Sequence, residues 1–438
     1  MSGNRFSLLI GGLIAGAALA TSVMAADEPK PETTIDASDP TKGFVTFKSG
    51  DNTLTLGAWG QFRATIDDRD QYDSDLTATS PNPSPSGDGQ ADGTSVSFAV
   101  WKLRPYLQGT VYKPWLKYKF EFELGPLSTN TTTSNVNNAR LTDAYVEFAK
   151  FPAATLRIGQ YKVPFGLQEL TSDTRQEFVD RSIANAKFTP SRDIGLMLYG
   201  AAWEKKFGYQ VGFFNGSGQN NPQEDQKQMY AARVWIDPLG EYKMFESAND
   251  ATPKHVLHFG LGYRGGEVER GTATSIVFQS PDNETAADFE LAWRWSRLYA
   301  MGEYFVQTDQ QKNPAAGPDV TARGFHVQFG AMVQPKQHEL ALRYAEVEPD
   351  RDVHDAKQTE TRLVYGYYIK GHNLKLQADI GEISYGKSFS TLYDTTNTAF
   401  GLAVRNLNPS FDPLKRLPSA VGDKLTDKQA RIQVTVAF

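Results

Sequence analysis

Basic residues at particular spacings carry the chemistry this sequence offers. Arg175, Arg181, Lys187 and Arg192 crowd into residues 164–193. Lys102, Arg104, Lys117, Lys119, Arg157, Lys162, Arg294, Arg343 and Arg362 each alternate with apolar neighbours. Guanidinium and ammonium groups held this way bind phosphate or carboxylate oxygens through charge-assisted hydrogen bonds and need no covalent step. The first four are therefore the expected anion contacts, and the other nine the expected basic wall of a water-filled interior. The plainer expectation is that these cations only solvate such an interior and pair with Glu121, Glu123, Asp143, Glu147 and Glu339.

Other motifs carry less. Gly260-Leu261-Gly262-Tyr263-Arg264-Gly265 spells GxGxxG, but a dinucleotide site needs a strand, a turn and then a helix. Here Leu257, Phe259, Leu261 and Tyr263 mark one face of a strand. His255 and His258 are three apart on that predicted strand, so they point to opposite faces and do not chelate. His326 and His338 lie in separate elements. HExxH, GxSxG and P-loop patterns are absent, and with no cysteine there is neither disulfide nor thiolate chemistry. A hydrolase would need a serine and a histidine brought together by the fold, which no motif suggests. No enzyme activity, catalytic residue, cofactor or metal is expected. The net charge of −6 gives no sign of nucleic-acid binding.

What positions the charges is a two-residue rhythm. In Trp115 to Leu124, Leu116, Tyr118, Phe120, Phe122 and Leu124 share one face, and Lys117, Lys119, Glu121 and Glu123 the other. The pattern returns at Phe289 to Ser296, Glu339 to Tyr344, Arg362 to Ile369 and Leu374 to Ile380. Such segments, separated by turn residues, are the mark of strands with one face on lipid and one on water. Sixteen are predicted, at about 53–65, 95–111, 115–125, 139–149, 154–163, 194–204, 208–215, 228–237, 254–267, 286–296, 298–309, 322–333, 338–349, 358–370, 374–385 and 427–438. Connections alternate between short (Tyr112 to Pro114, Lys150 to Ala153, Gln334 to Gln337, Gly371 to Asn373) and long (66–94, 126–138, 164–193, 310–321, 386–426). The connection 238–253 is long where a short one is due. The C-terminal Ile432, Val434, Val436 and Phe438 form a last apolar face ending in an aromatic residue.

The fold class expected is all-β: a transmembrane antiparallel β-barrel of about 16 strands with short periplasmic turns and long outer loops. Backbone polar groups in a bilayer must pair within the protein, and without apolar helices only a closed sheet achieves this. Trp59, Trp101, Trp115, Trp203, Trp235, Trp293 and Trp295 are expected in the interfacial girdles. Upstream, Arg5, the apolar run Leu8 to Ala20 and Val23-Met24-Ala25 read as a cleaved signal peptide, residues 1–25. The run is short against the roughly 20 residues of a membrane anchor. Residues 26–43 read as a flexible lead-in and 44–438 as the barrel.

The run Arg157-Ile158-Gly159-Gln160-Tyr161-Lys162-Val163-Pro164-Phe165-Gly166-Leu167, followed by Thr171-Ser172 and Phe178-Val179-Asp180-Arg181-Ser182, resembles the hallmark of the phosphate-selective porin O/P family. Leu340 to Tyr344 with Glu348-Pro349-Asp350, and Leu54 to Gly57 with Gly60 to Arg63, are similar to its other strands. The resemblance spans about residues 44–438. It implies a sixteen-stranded outer-membrane barrel, usually a homotrimer within lipid and lipopolysaccharide, with 164–193 as a loop folded into the pore. It implies passive diffusion of small hydrophilic solutes, and anions such as phosphate are expected. The alternatives are a channel for organic (di)carboxylates and a plugged surface barrel that binds without transport. Phosphate-preferring members line the pore with an excess of Arg and Lys. This chain is net acidic, and in 164–193 Glu169, Asp173, Glu177, Asp180 and Asp193 stand against Arg175, Arg181, Lys187 and Arg192.

Overall fold

On the strand His338–Glu348, Leu340 and Leu342 are exposed while Glu339, Ala341 and Arg343 are buried. The same inversion holds around the molecule. Phe62, Phe98, Leu196, Phe213, Leu261, Phe289, Phe329, Leu363 and Ile432 face outward, and Gln61, Arg63, Arg233, Glu290, Arg294, Gln328, Arg362 and Arg431 lie inside. At about 25 cal/mol per Å² of apolar surface, such an exterior is unfavourable in water and favourable in lipid.

The computed structural model describes residues 34–36, 45–69, 93–125, 139–221, 228–268, 282–310, 319–386 and 425–438. The expected signal segment and most of the long outer connections fall outside these. Two short strands, β1 (Thr34–Asp36) and β2 (Val45–Ser49), precede the barrel. The barrel comprises β3 (Asn52–Arg69), β4 (Gly93–Val111), β5 (Lys113–Glu123), β6 (Arg140–Phe151), β7 (Ala154–Lys162), β8 (Arg192–Ala202), β9 (Phe207–Phe214), β10 (Met229–Ile236), β11 (Val256–Val268), β12 (Asp282–Trp295), β13 (Leu298–Gln310), β14 (Val320–Gln334), β15 (His338–Glu348), β16 (Gln358–Tyr368), β17 (Leu374–Tyr385) and β18 (Leu425–Ala437). Each pairs antiparallel with its sequence neighbours, and β18 returns to β3 with Gln433 opposite Arg63 and Ala437 opposite Trp59. The backbones of Phe438 and Ala58 exchange hydrogen bonds of 3.0 Å. The result is a closed sixteen-stranded antiparallel barrel whose strands correspond one to one with those predicted. Closure leaves no sheet edge unpaired within the barrel.

β1 and β2 were not foreseen. β2 forms a hairpin with β3, Val45 opposite Leu56, and β1 pairs with β2, Ile35 opposite Phe47. Thr34–Asp36 thus add strand pairing inside the segment expected as a lead-in.

Consecutive antiparallel strands put connections alternately at the two ends. One end carries the tight turns, where Tyr112, Trp203 to Lys205, Ser296, Lys336 and Gly371 adopt positive φ. The connection between β10 and β11 emerges at this same end. The tryptophans divide. Trp293 and Trp295 lie outward, with the His255 ring stacked 4.8 Å from Trp295. Trp203 is exposed at a tight turn, and Trp115 packs against outward Phe148. Trp59, Trp101 and Trp235 instead face inward beneath Arg104, Arg63 and Arg233, at 4.9, 4.1 and 4.8 Å. These three are lumen platforms for guanidinium groups rather than girdle residues, because the pleat puts them on the same face as those arginines.

Candidate functional site

The lumen is not an open tube. Residues 163–191, between β7 and β8, carry a short helix α1 (Leu167–Leu170), a 3-10 turn at Asp173–Arg175 and a second helix α2 (Ile183–Phe188). Gly166 opens α1 at φ +84°, where a Cβ would press on Thr189. Ser182 caps α2 by accepting the Asn185 N–H. The apolar residues Val163, Phe165, Ile183 and Phe188 are buried against small inward residues of the wall, Ala286, Ala322 and Ala345. Phe188 stacks on Phe305 at 5.4 Å. A hydrophobic anchor inside a wet barrel thus holds this segment across the lumen.

Polar groups complete the attachment. Glu303 accepts the N–H groups of Leu167 (2.5 Å) and Gln168 (3.0 Å) at the start of α1. Glu360 accepts the N–H of Ile183 at 3.0 Å. Gln377 donates to the carbonyl of Glu177 (2.7 Å), and Lys375 to that of Gln176. Arg343 donates to the carbonyl of Asp180 at 2.8 Å. Asp180 is clamped by Arg63 (2.8 Å) and Arg431, and Asp173 by Lys102 (2.8 Å), Arg104 (3.2 Å) and Arg181. Burial alone would raise both aspartates, but Arg63 and Arg431 hold Asp180 below the usual carboxylate range, and Arg181, Lys102 and Arg104 hold Asp173 well below it.

A second segment, 237–255, enters from the tight-turn end. Tyr242, Phe245, Glu246, Ser247 and Ala248 are buried. Arg294 holds them, donating to the carbonyls of Ser247 (2.8 Å) and Phe245 (2.5 Å) with its guanidinium 3.7 Å over the Phe245 ring. The two segments meet at Glu246. Its N–H donates to the Arg175 carbonyl (2.9 Å), and its carboxylate accepts the Glu177 N–H (3.0 Å) and the Gln168 amide (3.3 Å).

The residues singled out from sequence fall into three groups. Along β4 to β8, Arg104 pairs with Glu123 (2.5 Å) and Glu121 (3.5 Å), Lys119 with Asp143 (2.7 Å), Arg192 with Asp143 (2.7 Å), and Arg157 with Glu147 amid the rings of Tyr145, Tyr161 and Tyr199. Lys102 and Arg181 join them through Asp173. Lys162 donates to the carbonyls of Glu169 and Thr171. In the second group, Arg294, Arg343 and Arg362 point inward but are buried, Arg294 and Arg343 against the inserted segments and Arg362 among wall residues, on Glu360 at 2.6 Å. In the third, Lys117 and Arg175 are exposed and Lys187 is half-buried at the end of α2. Of the expected carboxylate partners, Glu339 departs: it accepts from Ser247 (2.9 Å) and Tyr368 (2.5 Å). Sequence reasoning missed Arg63, Arg431 and Glu246. The first two stand on predicted strands at inward positions, and the third lies on the one connection that broke the length alternation.

The fold does bring a serine to a histidine: Ser182 Oγ lies 3.1 Å from His326 Nδ1. Both are fully buried and the hydroxyl is engaged as a helix cap, so the pair holds α2 to β14.

The family model described as phosphate-selective porin O and P matches residues 86–403. Porin O of Pseudomonas aeruginosa is 24% identical over 326 residues, 61% of this chain and 70% of that protein. An uncharacterized protein of Aquifex aeolicus is 23% identical over 257 residues, 53% of this chain; the chain spans 60% of that relative's length. Among solved structures, an anion-selective porin from Comamonas acidovorans is similar at TM-score 0.54 and 14% identity, covering 88% of this chain and 100% of that one. The outer membrane channel DcaP of Acinetobacter baumannii is similar at TM-score 0.52 and 11% identity, covering 88% and 97%.

Proposed function

The chain belongs to the phosphate-selective porin O and P family and forms an outer-membrane channel, and we propose that it passes small hydrophilic solutes passively with a weak preference for anions such as phosphate. One observation carries this reading. Among the pairs that run from β3 through β8 to the crossing segment, the side chains with most water access are cations: Lys102 (20% exposed), Lys119 (21%), Arg157 (22%) and Arg181 (16%). The carboxylates of those pairs reach 12–13% at Glu123, Asp143 and Asp180, while on β12 Glu284, paired with Arg264, reaches 20%. Arg63, Arg104 and Arg192 are more buried than these partners, which keeps the preference weak.

A field set by partly neutralised cations beside a narrow passage selects by sign rather than by shape. Arg175, Arg181, Lys187 and Arg192 stand in or beside the crossing segment and would meet an anion there. The reading includes export through cleavage after residue 25 and assembly as a homotrimer surrounded by lipid and lipopolysaccharide. Reversal potentials across planar bilayers in a KCl gradient test the selectivity, and block of chloride current by phosphate tests the solute. Clear cation selectivity would remove the proposal.

A second reading keeps the barrel and closes the lumen. The contact of 163–191 with 237–255 at Glu246 favours it. Single-channel conductance separates the two, since a sealed lumen gives none.

A further inference from the structure

Away from the basic wall, Asp288, Glu290 and Glu303 place one carboxylate oxygen each within 4.8 Å of the others. The strand pairing produces this. Asp288 and Glu290 are two apart on β12 and share its inward face, and Glu303 on β13 stands directly opposite Glu290. On the neighbouring strand, Gly260 faces Glu290 and Gly262 faces Asp288. A Cβ at Gly260 would overlap the Glu290 carboxylate, and one at Gly262 would touch Asp288 and Phe165 at 3.3 Å. The two glycines therefore leave room for the acids, with Phe165 of the crossing segment beside them.

The three carboxylates are not equally satisfied. Glu290 holds Arg233 (2.5 Å) and His258 (3.0 Å), and His258 also holds Asp237 (2.7 Å). Glu303 holds the start of α1. Asp288 is 1% exposed, no N–H or hydroxyl among the described residues donates to either of its oxygens, and its nearest polar neighbour is the Glu290 carboxylate. A separate residue points at the same place. His326, with no exposed surface, uses Nδ1 on Ser182 and leaves Nε2 unpartnered, 3.3 Å from Glu303 Oε2 but misaligned for a hydrogen bond. One guanidinium and two imidazoles, His258 shared with Asp237 and His326 held by Ser182, face three buried carboxylates. A buried charge without a partner is strongly unfavourable.

We propose that Asp288, Glu290 and Glu303 form a binding site for a hard divalent cation of the calcium type. Calcium takes carboxylate oxygens at about 2.3–2.6 Å, so oxygens on one ion lie within about 5 Å of each other, as these do. Asp288 supplies a carboxylate that no N–H or hydroxyl holds, and the His326 ring closes the site beside Glu303. The cation neutralises the wall at which α1 begins and so fixes the root of the crossing segment. No ligand spacing in the sequence announced the site, because the strand register across β12 and β13 creates it.

The test uses full-length barrel in detergent, stripped with EDTA, dialysed against calcium and then against metal-free buffer, with retained calcium measured by elemental analysis. Wild type is expected to keep about one calcium per chain. Asp288→Asn, which removes a charge and leaves Arg233, His258 and the start of α1 with their own partners, is expected to lower affinity at least about tenfold. Asp352→Asn, at an exposed acid, controls for surface binding and is expected to match wild type. In EDTA, Asp288→Asn and Asp288→Ala are both expected to unfold at a higher temperature than wild type, and calcium is expected to narrow that gap by stabilising wild type alone. Calcium retained equally by wild type and Asp288→Asn, or by neither, overturns the proposal. So does an Asp288→Asn barrel that is less heat-resistant than wild type in EDTA.

Discussion

Glu246 accepts the backbone N–H of Glu177 at 3.0 Å, tying a segment that enters from one end of the barrel to one that enters from the other. Gln328 donates to both carboxylates at 3.0 Å, and Glu339 stands beside them. The junction is acidic, and Arg343 and Lys375 are the basic groups facing it. A passage through the lumen has to go past this contact or wait for it to open.

The junction predicts a pH dependence. Burial first, then Glu339 and Glu246, raise the Glu177 pKa well above the ordinary carboxyl value. The folded protein therefore keeps a proton where the unfolded chain, with a pKa of about 4.3, has lost it. The stabilisation is complete below that value and is lost as pH rises through the raised one. Single-channel conductance of wild type is expected to climb with pH as the two segments loosen. Glu177→Gln, fixed in the neutral form, is expected to flatten the climb. A wild-type conductance indifferent to pH would end the argument.

Asp180 obeys the opposite sign. Its pKa is held below the ordinary value, so its contribution is present above about pH 3.9 and fades only as pH falls toward the lowered value. Asp180→Asn leaves Arg63 and Arg431, both nearly fully buried, without their shared partner. Breaking a buried pair costs about 3–5 kcal/mol. Arg431 keeps the Asp379 carboxylate, whereas Arg63 keeps only neutral partners, the Gln433 amide oxygen at 2.8 Å, the Val179 carbonyl at 3.3 Å and the Trp101 ring. Thermal unfolding is expected to fall by several degrees while the reversal potential moves toward the chloride limit. A variant as heat-resistant as wild type would show that the clamp contributes little.

The paired lining sets the third expectation. Lys119→Gln with Arg157→Gln removes two water-facing cations and leaves Asp143, Glu121 and Glu147 behind. The reversal potential is expected to cross toward cation selectivity, with conductance changed less than twofold because neither side chain holds the crossing segment. Unchanged selectivity would place the solute path elsewhere in the lumen.

The strands were legible because a barrel wall must repeat every two residues, and Leu340, Leu342 and Tyr344 against Glu339, Ala341 and Arg343 state that rule in six letters. Strand phase is legible for the same reason, and Arg294, Arg343 and Arg362 share the inward face of their strands. Their burial was not legible, because it comes from residues distant in sequence: Phe245 over Arg294, Phe178 and Asp180 over Arg343, and Gln429 and Asp379 beside Arg362. Trp59, Trp101 and Trp235 show the same limit: residue type suggests a membrane interface, while strand phase puts them under arginines. The acidic cluster depends on Glu290 standing opposite Glu303, a register that alternation within one strand leaves open.

Arg294 offers the sharpest test of the segment entering at the tight-turn end. It donates to the carbonyls of Phe245 and Ser247 and covers the Phe245 ring, yet none of these contacts belongs to the strand ladder. Arg294→Ala deprives two buried carbonyls of their donor, at about 1–3 kcal/mol each, while leaving the barrel hydrogen bonds intact. Segment 237–255 is then expected to withdraw, taking Glu246 from Glu177, and single-channel conductance is expected to rise severalfold with the folded band on unheated gels retained. Arg294→Lys keeps the charge but loses the planar fork and the stacking, and should fall between the two. If Arg294→Ala folds and conducts like wild type, the narrowest point lies in 163–191 alone and the contact between the two segments is structural rather than gating.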